Sequence, residues 1–241
     1  MPTIWTDLKE LQAAFITREI ERTGDFFQSV TNHEHVDDAL KALDNNRRIA
    51  SEYPGFTEDM KLCMARQVHG SQVRYTDKAG IAGDADGLVT DKPNLALGVL
   101  VADCAALLIA DPANKVVAAV HAGWRGAVAG IIPEAVRQME KIGAEPDLIR
   151  TYISPCISRE AFEVGEEVAC RFPDKFVDRT RSKPHVDLRG FVLHQLRKTG
   201  IPESSVARDD SCTVRNTTLH SHRRDGNKSG RMLAVICLSS K

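Results

Sequence analysis

Aromatic residues are scarce in this chain, at 5% of its 241 positions. That argues against a surface that stacks nucleic-acid bases. An excess of one charge is missing as well. Lysine and arginine number 32 against 33 acidic residues, a net charge of −1, so nucleic acid is a poor candidate partner. No apolar run approaches the ~20 residues that a membrane span needs. The longest, Leu95 to Ala110, is interrupted by Asp103. The opening residues, MPTIWTDLKELQAAF, lack a basic stretch followed by an apolar one. No signal peptide and no membrane association are therefore expected. The six cysteines form no CxxC pair, and in the expected cytoplasmic setting they stay reduced. There is no internal repeat, no low-complexity linker and no shift in composition. Nothing in the sequence specifies an oligomeric state.

What the chain has is apolar content, 42% of residues, enough for a sizeable core. It is distributed as short runs alternating with periodic segments. The simplest reading is one α/β (α+β) domain over residues 1–241, with mixed β-sheets flanked by helices. Leu8, Leu11 and Phe15 have helical spacing after a Thr6-Asp7 start signal, although Phe15-Ile16 equally opens a strand. Residues 17 to 35 are polar and read as a surface segment carrying His33 and His35. Val36 to Ser51 reads as a helix. Met60 to Val68 leads to Gln67-Val68-His69-Gly70, Val73 and Tyr75 read as a strand pair and Leu88 to Thr90 as a short strand, with the Ala82 to Gly87 stretch as a turn. Leu95 to Ala102, Leu107 to Ala110 and Lys115 to Val120 form three β-like runs. A helix follows from Gly126 to Ile142, kinked at Pro133 or starting there. Leu148 to Ile153 reads as a strand and Phe162 to Phe172 as a short helix or a loop–helix unit. Asp187 caps a helix that Gly200 stops. Cys212-Thr213 reads as the end of a strand. Arg223 to Gly230 is a charged turn before a last strand from Arg231 to Leu238.

Three potential ligands lie beside glycines or at the ends of apolar runs: His69, Cys104 and His121. Two imidazoles and one thiolate, with a fourth position left to water, suit an open zinc site. Their spacings of 35 and 17 residues exclude a zinc-finger pattern. A second reading needs no metal: Cys104 as a thiolate nucleophile, His121 as its base, and Asp103 or a backbone carbonyl orienting the imidazole. Each residue also has a plain structural reading, a loop histidine or a core thiol. If a helix begins near Gly126, its free N–H groups together with Arg125 make an anion site. Otherwise Trp124 is core and Arg125 a surface cation. Arg47, Arg66, Arg223 and Arg224 are further cationic candidates. Asp84, Asp86 and Asp187 read as turn and cap residues, with Asp84 or Asp86 available to shuttle a proton.

Several blocks belong together: Arg66-Gln67-Val68-His69-Gly70, Asp84-Ala85-Asp86-Gly87, Ala102-Asp103-Cys104, His121-Ala122-Gly123-Trp124-Arg125-Gly126, and Ser221-His222-Arg223-Arg224-Asp225 with Gly230-Arg231. In these the chain resembles the YfiH-like proteins, also labelled laccase-domain or multicopper polyphenol oxidase proteins, and peptidoglycan editing factor. The resemblance runs over about residues 40 to 241. It implies a zinc site, with copper as another possible occupant, made by the residues matching His69, Cys104 and His121. It implies purine nucleoside chemistry: phosphorolysis of adenosine, inosine, guanosine and methylthioadenosine, and deamination of adenosine. Zinc, Arg125 or Arg47 would then hold the phosphate. The resemblance also implies removal of mis-incorporated amino acids from peptidoglycan precursors, and a fold similar to that of a cysteine-hydrolase toxin domain. The oxidase label fits the residues poorly. Only His33/His35 and His220/His222 among eight histidines show His-x-His spacing. The chain departs from the family in its first 40 residues, where Thr17-Arg18-Glu19-Ile20-Glu21-Arg22 replaces a Gly-Gly-Val-Ser-type stretch.

Overall fold

The computed structural model describes residues 11–16 and 60–240. The 17–35 segment, the helix expected over Val36 to Ser51, His33, His35 and Arg47 lie outside the described residues.

The apolar runs become strands because both faces of a central sheet are covered. Strands β1 (Leu11–Ile16), β2 (Lys61–Arg66), β3 (Val73–Tyr75), β4 (Gly80–Asp84), β5 (Gly87–Thr90), β6 (Leu95–Val101), β7 (Ala105–Asp111), β8 (Val116–Ala122) and β9 (Arg150–Ile153) are followed by the short β10 (Val177–Asp178), β11 (His185–Val186) and β12 (Val206–Arg208), and by β13 (Met232–Leu238). They assemble into a five-stranded sheet, β1-β13-β6-β2-β4, a six-stranded sheet, β12-β9-β7-β8-β5-β3, and the β10-β11 pair. The helices among the described residues are α1 (Trp124–Val128), α2 (Ile131–Glu140), α3 (Glu166–Ala169), α4 (Leu188–Lys198) and α5 (His222–Asp225). The architecture is of the α/β class expected. Among the described residues no helix is long and apolar enough to cross a membrane.

Strand β7 shows how the layers divide. Ala105, Leu107 and Ile109 join one core with Ile131, Ile132 and Met139 of α2. Ala106, Leu108 and Ala110 join a second core, between the sheets, with Leu97, Val99 and Ile236. With both faces buried, β7 has no polar alternation, which is why its sequence is a continuous apolar run.

Four expectations change. Leu11 to Ile16 is a strand paired antiparallel with β13. The four-residue spacing of Leu11 and Phe15 serves a strand as well as a helix, because an even offset also returns to the same face. Gly80 to Asp84 is a strand rather than part of a turn, pairing in parallel with β2. The helix expected from Gly126 to Ile142 is two helices parted at Gly130, whose φ is +87°. Pro133 sits in the first turn of the second, where a missing N–H costs nothing. Cys212 makes an isolated bridge to Cys156 rather than closing a strand. The expected turn after Arg223 contains the one-turn helix α5, capped by the Ser221 hydroxyl, which accepts from the Arg224 N–H at 3.2 Å. The cap at Asp187 forms as expected, its carboxylate accepting from the Gly190 N–H at 2.9 Å.

Three links carry the chain from the five-stranded to the six-stranded sheet: β2 to β3, β4 to β5, and β6 to β7. His69 lies on the first, Asp86 on the second, and Asp103-Cys104 on the third. The C-terminal end of β8 brings His121 to them.

Candidate metal centre

The crossings are tight. His69 and Asp103 both have positive φ, 58° and 83°, a conformation that costs a residue with a side chain and persists only where its surroundings hold it. Both are held. Gln67 clamps the first crossing to β6: its amide nitrogen donates to the Leu100 carbonyl and its amide oxygen accepts from the Leu100 N–H, each at 2.8 Å. Asp103 sits under the third crossing. Its carboxylate accepts from the Thr213 hydroxyl and, at 2.6 Å, from the Arg223 N–H. Its carbonyl accepts from the Ile157 N–H at 2.9 Å.

Asp86 joins the crossings. It is fully buried. One carboxylate accepts the backbone N–H groups of Val68 at 3.2 Å, His69 at 3.0 Å and Gly70 at 2.6 Å. It also takes His121 Nδ1 at 2.7 Å, and its carbonyl accepts the His121 N–H at 2.7 Å. Burial alone would raise its pKa, but the His121 hydrogen bond and those backbone donors hold it below the usual carboxylate value. With Nδ1 committed to Asp86, His121 presents Nε2 to the cluster.

The structure brings His69, Cys104 and His121 together. One ligand atom from each lies within 4.8 Å of the others. The two imidazole rings meet edge to face, with centroids 4.9 Å apart. Burial would raise the Cys104 pKa, but the charge of His121 and hydrogen bonds from both imidazoles bring it down to about 6. Burial would lower that of His121, but the Cys104 charge and the Asp86 bond raise it to about 9. Both shifts favour a thiolate beside an imidazolium. Gly123 keeps the space beside the cluster open. A Cβ there would stand 3.0 Å from Cys104 Sγ and 3.4 Å from His69 Cδ2.

The other candidates go elsewhere. Arg66 is exposed and pairs with Asp84 at 2.7 Å, which also takes Asp84 away from the cluster. Arg125 is exposed, its guanidinium 4.4 Å above the Trp124 ring. Helix α1 starts at Trp124 and has five residues. Gly126 is buried within it, where a Cβ would come 2.5 Å from the Gly70 carbonyl oxygen. Its structural task is to let α1 press on the His69 crossing. The imidazole rests on Asp86, not on Asp103. Arg223 donates to the Glu163 carbonyl, and Arg224 ties the 213–219 loop through the carbonyls of Thr213 and Leu219. Sequence reasoning treated Asp86 as a turn residue or proton shuttle and overlooked Gln67. The signal for Asp86 was its place on a short link beside a strand.

A family model described as multi-copper polyphenol oxidoreductase laccase matches residues 12–239. The chain belongs to this family. Among its relatives, the purine nucleoside phosphorylase of Deinococcus radiodurans is 34% identical over 229 residues, 93% of this chain and 88% of the relative. Adenosine deaminase RL5, from an unknown prokaryotic organism, is 33% identical over 219 residues, 83% of each chain. The crystal structure of the Bacillus licheniformis hypothetical protein YfiH superposes with a TM-score of 0.81 at 26% identity, over 99% of this chain and 97% of that one. The resemblance to the YfiH-like proteins therefore extends from the motifs to the fold of this laccase-like family.

Proposed function

We propose that this chain is a metal-dependent purine nucleoside enzyme of the cytoplasm, cleaving nucleosides by phosphorolysis and deaminating adenosine. The observation that carries this reading is the His69, Cys104 and His121 cluster, backed by Asp86. A donor set of two imidazoles and one thiolate suits zinc, and copper less specifically. Three protein ligands leave a position for substrate or water. The names of the relatives from Deinococcus radiodurans and the unknown prokaryote support the substrate class. The six free thiols suit a reducing compartment.

Zinc held there supplies Lewis acidity and lowers the pKa of a bound water towards ~7. The protein's share is positioning. Cys104 offers a thiolate without needing alkaline pH, Asp86 fixes which nitrogen His121 presents, and Gly123 leaves room above the sulfur. In phosphorolysis an oxygen of hydrogenphosphate forms a bond to the ribose anomeric carbon. The bond to the base breaks, its electron pair leaves with the base, and the phosphate proton ends on the base.

A second reading is favoured by the line of Asp86, His121 and Cys104, which has the order of a cysteine-hydrolase triad. It would cleave an amide in a peptidoglycan precursor with no metal. Chelation separates the two. Purified protein is assayed with inosine or adenosine and phosphate, before and after chelator, alongside metal analysis. Base release that stops on chelation, with about one zinc per chain that the Cys104→Ala variant lacks, is the expected result. Metal retained in Cys104→Ala, or no nucleoside turnover by the metal-loaded chain, overturns the assignment.

A further inference from the structure

Arg231 is a cation that the site as described leaves unused. Strand β13 pairs antiparallel with β6 in the register Met232 to Val101, so Arg231 stands beside Ala102, at the corner that carries Cys104. Its side chain is partly buried. One guanidinium nitrogen, Nη1, donates to the Ser229 and Gly230 carbonyls, each at 3.0 Å. Those two carbonyls fix the head without neutralising it. Among the described residues no carboxylate forms an ion pair with Arg231. Asp103 is near enough for its charge to be felt, but its carboxylate already serves Thr213 and Arg223. Burial disfavours the charged guanidinium, and the negative charges of Cys104 and Asp103 partly restore it.

A partly buried guanidinium that forms no ion pair with a described carboxylate has room for one more anion. Because Nη1 is taken by the loop, the Nε–Nη2 edge remains, which is the edge that grips two oxygens of one anion. We infer that Arg231 holds the phosphate co-substrate next to the metal cluster, presenting it to the ribose of the nucleoside. This rests on the phosphorolysis reading above. Arg125 is less suited, being exposed and stacked on Trp124.

The test compares the unaltered chain with Arg231→Met and Arg231→Lys, reading KM for phosphate, KM for inosine, bound metal and thermal unfolding. Loss of a charge-assisted pair raises the phosphate KM by about 10- to 100-fold in Arg231→Met. The inosine KM and metal content stay near those of the unaltered chain, and Arg231→Lys recovers part of the loss. An unchanged phosphate KM, or a parallel loss of metal and of both KM values, overturns the inference. If Arg231→Met does not fold, Arg231→Lys decides on the same phosphate KM. If the unaltered chain phosphorolyses no nucleoside, that reading has failed, and the anion site is judged separately by titrating inorganic phosphate and following its phosphorus resonance. Binding by the unaltered chain that Arg231→Lys weakens supports the site. Equal binding, or none, overturns it.

Discussion

Asp86 serves both His69 and His121 with one carboxylate. It receives three backbone N–H groups from the His69 crossing and the Nδ1 of His121. Asp86→Asn keeps the shape but replaces acceptors by an amide that must point one donor at existing donors. A hydrogen-bond partner behind a metal-ligating histidine is worth about 10- to 100-fold in metal affinity, and competition with a chromogenic chelator should show that loss. Unchanged affinity would mean that Asp86 only builds the loop. The thiolate makes a pH prediction. In the metal-free chain Cys104 titrates at about 6, so its alkylation by iodoacetamide should climb through pH 6 and level off near neutrality. An ordinary thiol keeps gaining rate to ~8.5. Cys156, pushed up to about 11 by burial, does not compete. Between those limits His121 is protonated, with a value of about 9, while the metal needs it neutral. Metal uptake near pH 7.5 should therefore release about one proton, measurable by calorimetry in buffers of different ionisation enthalpy. At this scale His69, Cys104 and His121 were legible as candidates beside glycines or at the ends of apolar runs, and the resemblance to the YfiH-like blocks joined them into one set. Asp86 was not, because a buried carboxylate takes its meaning from donors that the fold brings to it from two other segments.

At the scale of elements, the runs from Leu95 to Val101, Ala105 to Asp111 and Val116 to Ala122 were readable as strands because apolar continuity and flanking turns agree. What the sequence could not show is that the first and second of these lie in different sheets. That fact turns Ala102-Asp103-Cys104 into a corner and puts the thiol at the open end of the layer between the sheets. The misread first segment and the helix broken at Gly130 share a cause. Spacing of apolar residues records a face, and neither a four-residue offset nor a lone glycine states which backbone carries it. Two glycines test the packing around the corner. Gly126→Ala would drive a Cβ to 2.5 Å from a backbone oxygen of the His69 crossing. It should cost about 1–3 kcal/mol and weaken metal binding too, read from denaturant midpoints and metal titration. Gly123→Ala adds a methyl 3.0 Å from Cys104 Sγ in backbone that any residue adopts, φ −72° and ψ 167°. Its effect should fall on metal affinity with little loss of stability. Equal destabilisation by the two would show that the space beside the sulfur is structural rather than functional.

On the scale of the whole molecule, the cluster is where the two sheets are joined at one end. His69, Cys104 and His121 come from a β2–β3 link, a β6–β7 link and the end of β8, and the chain between them forms four of the six strands of one sheet and two of the five of the other. In the unfolded chain these groups are far apart, so a metal held by all three would bind only the folded state and stabilise it by mass action. At a free metal concentration 100 times the dissociation constant that is about 2.7 kcal/mol. For a chain of 241 residues it corresponds to roughly 5–10 °C in Tm. Chelation should lower the Tm of the metal-loaded protein by that amount, and restoring zinc should reverse the change. The Cys104→Ala variant should melt at one temperature with or without chelator, since it has lost the ligand that links the two sheets through the corner. A metal-loaded protein whose Tm ignores chelation would place the ion outside this cluster. A Cys104→Ala protein that still responds would equally overturn the assignment of the metal to His69, Cys104 and His121.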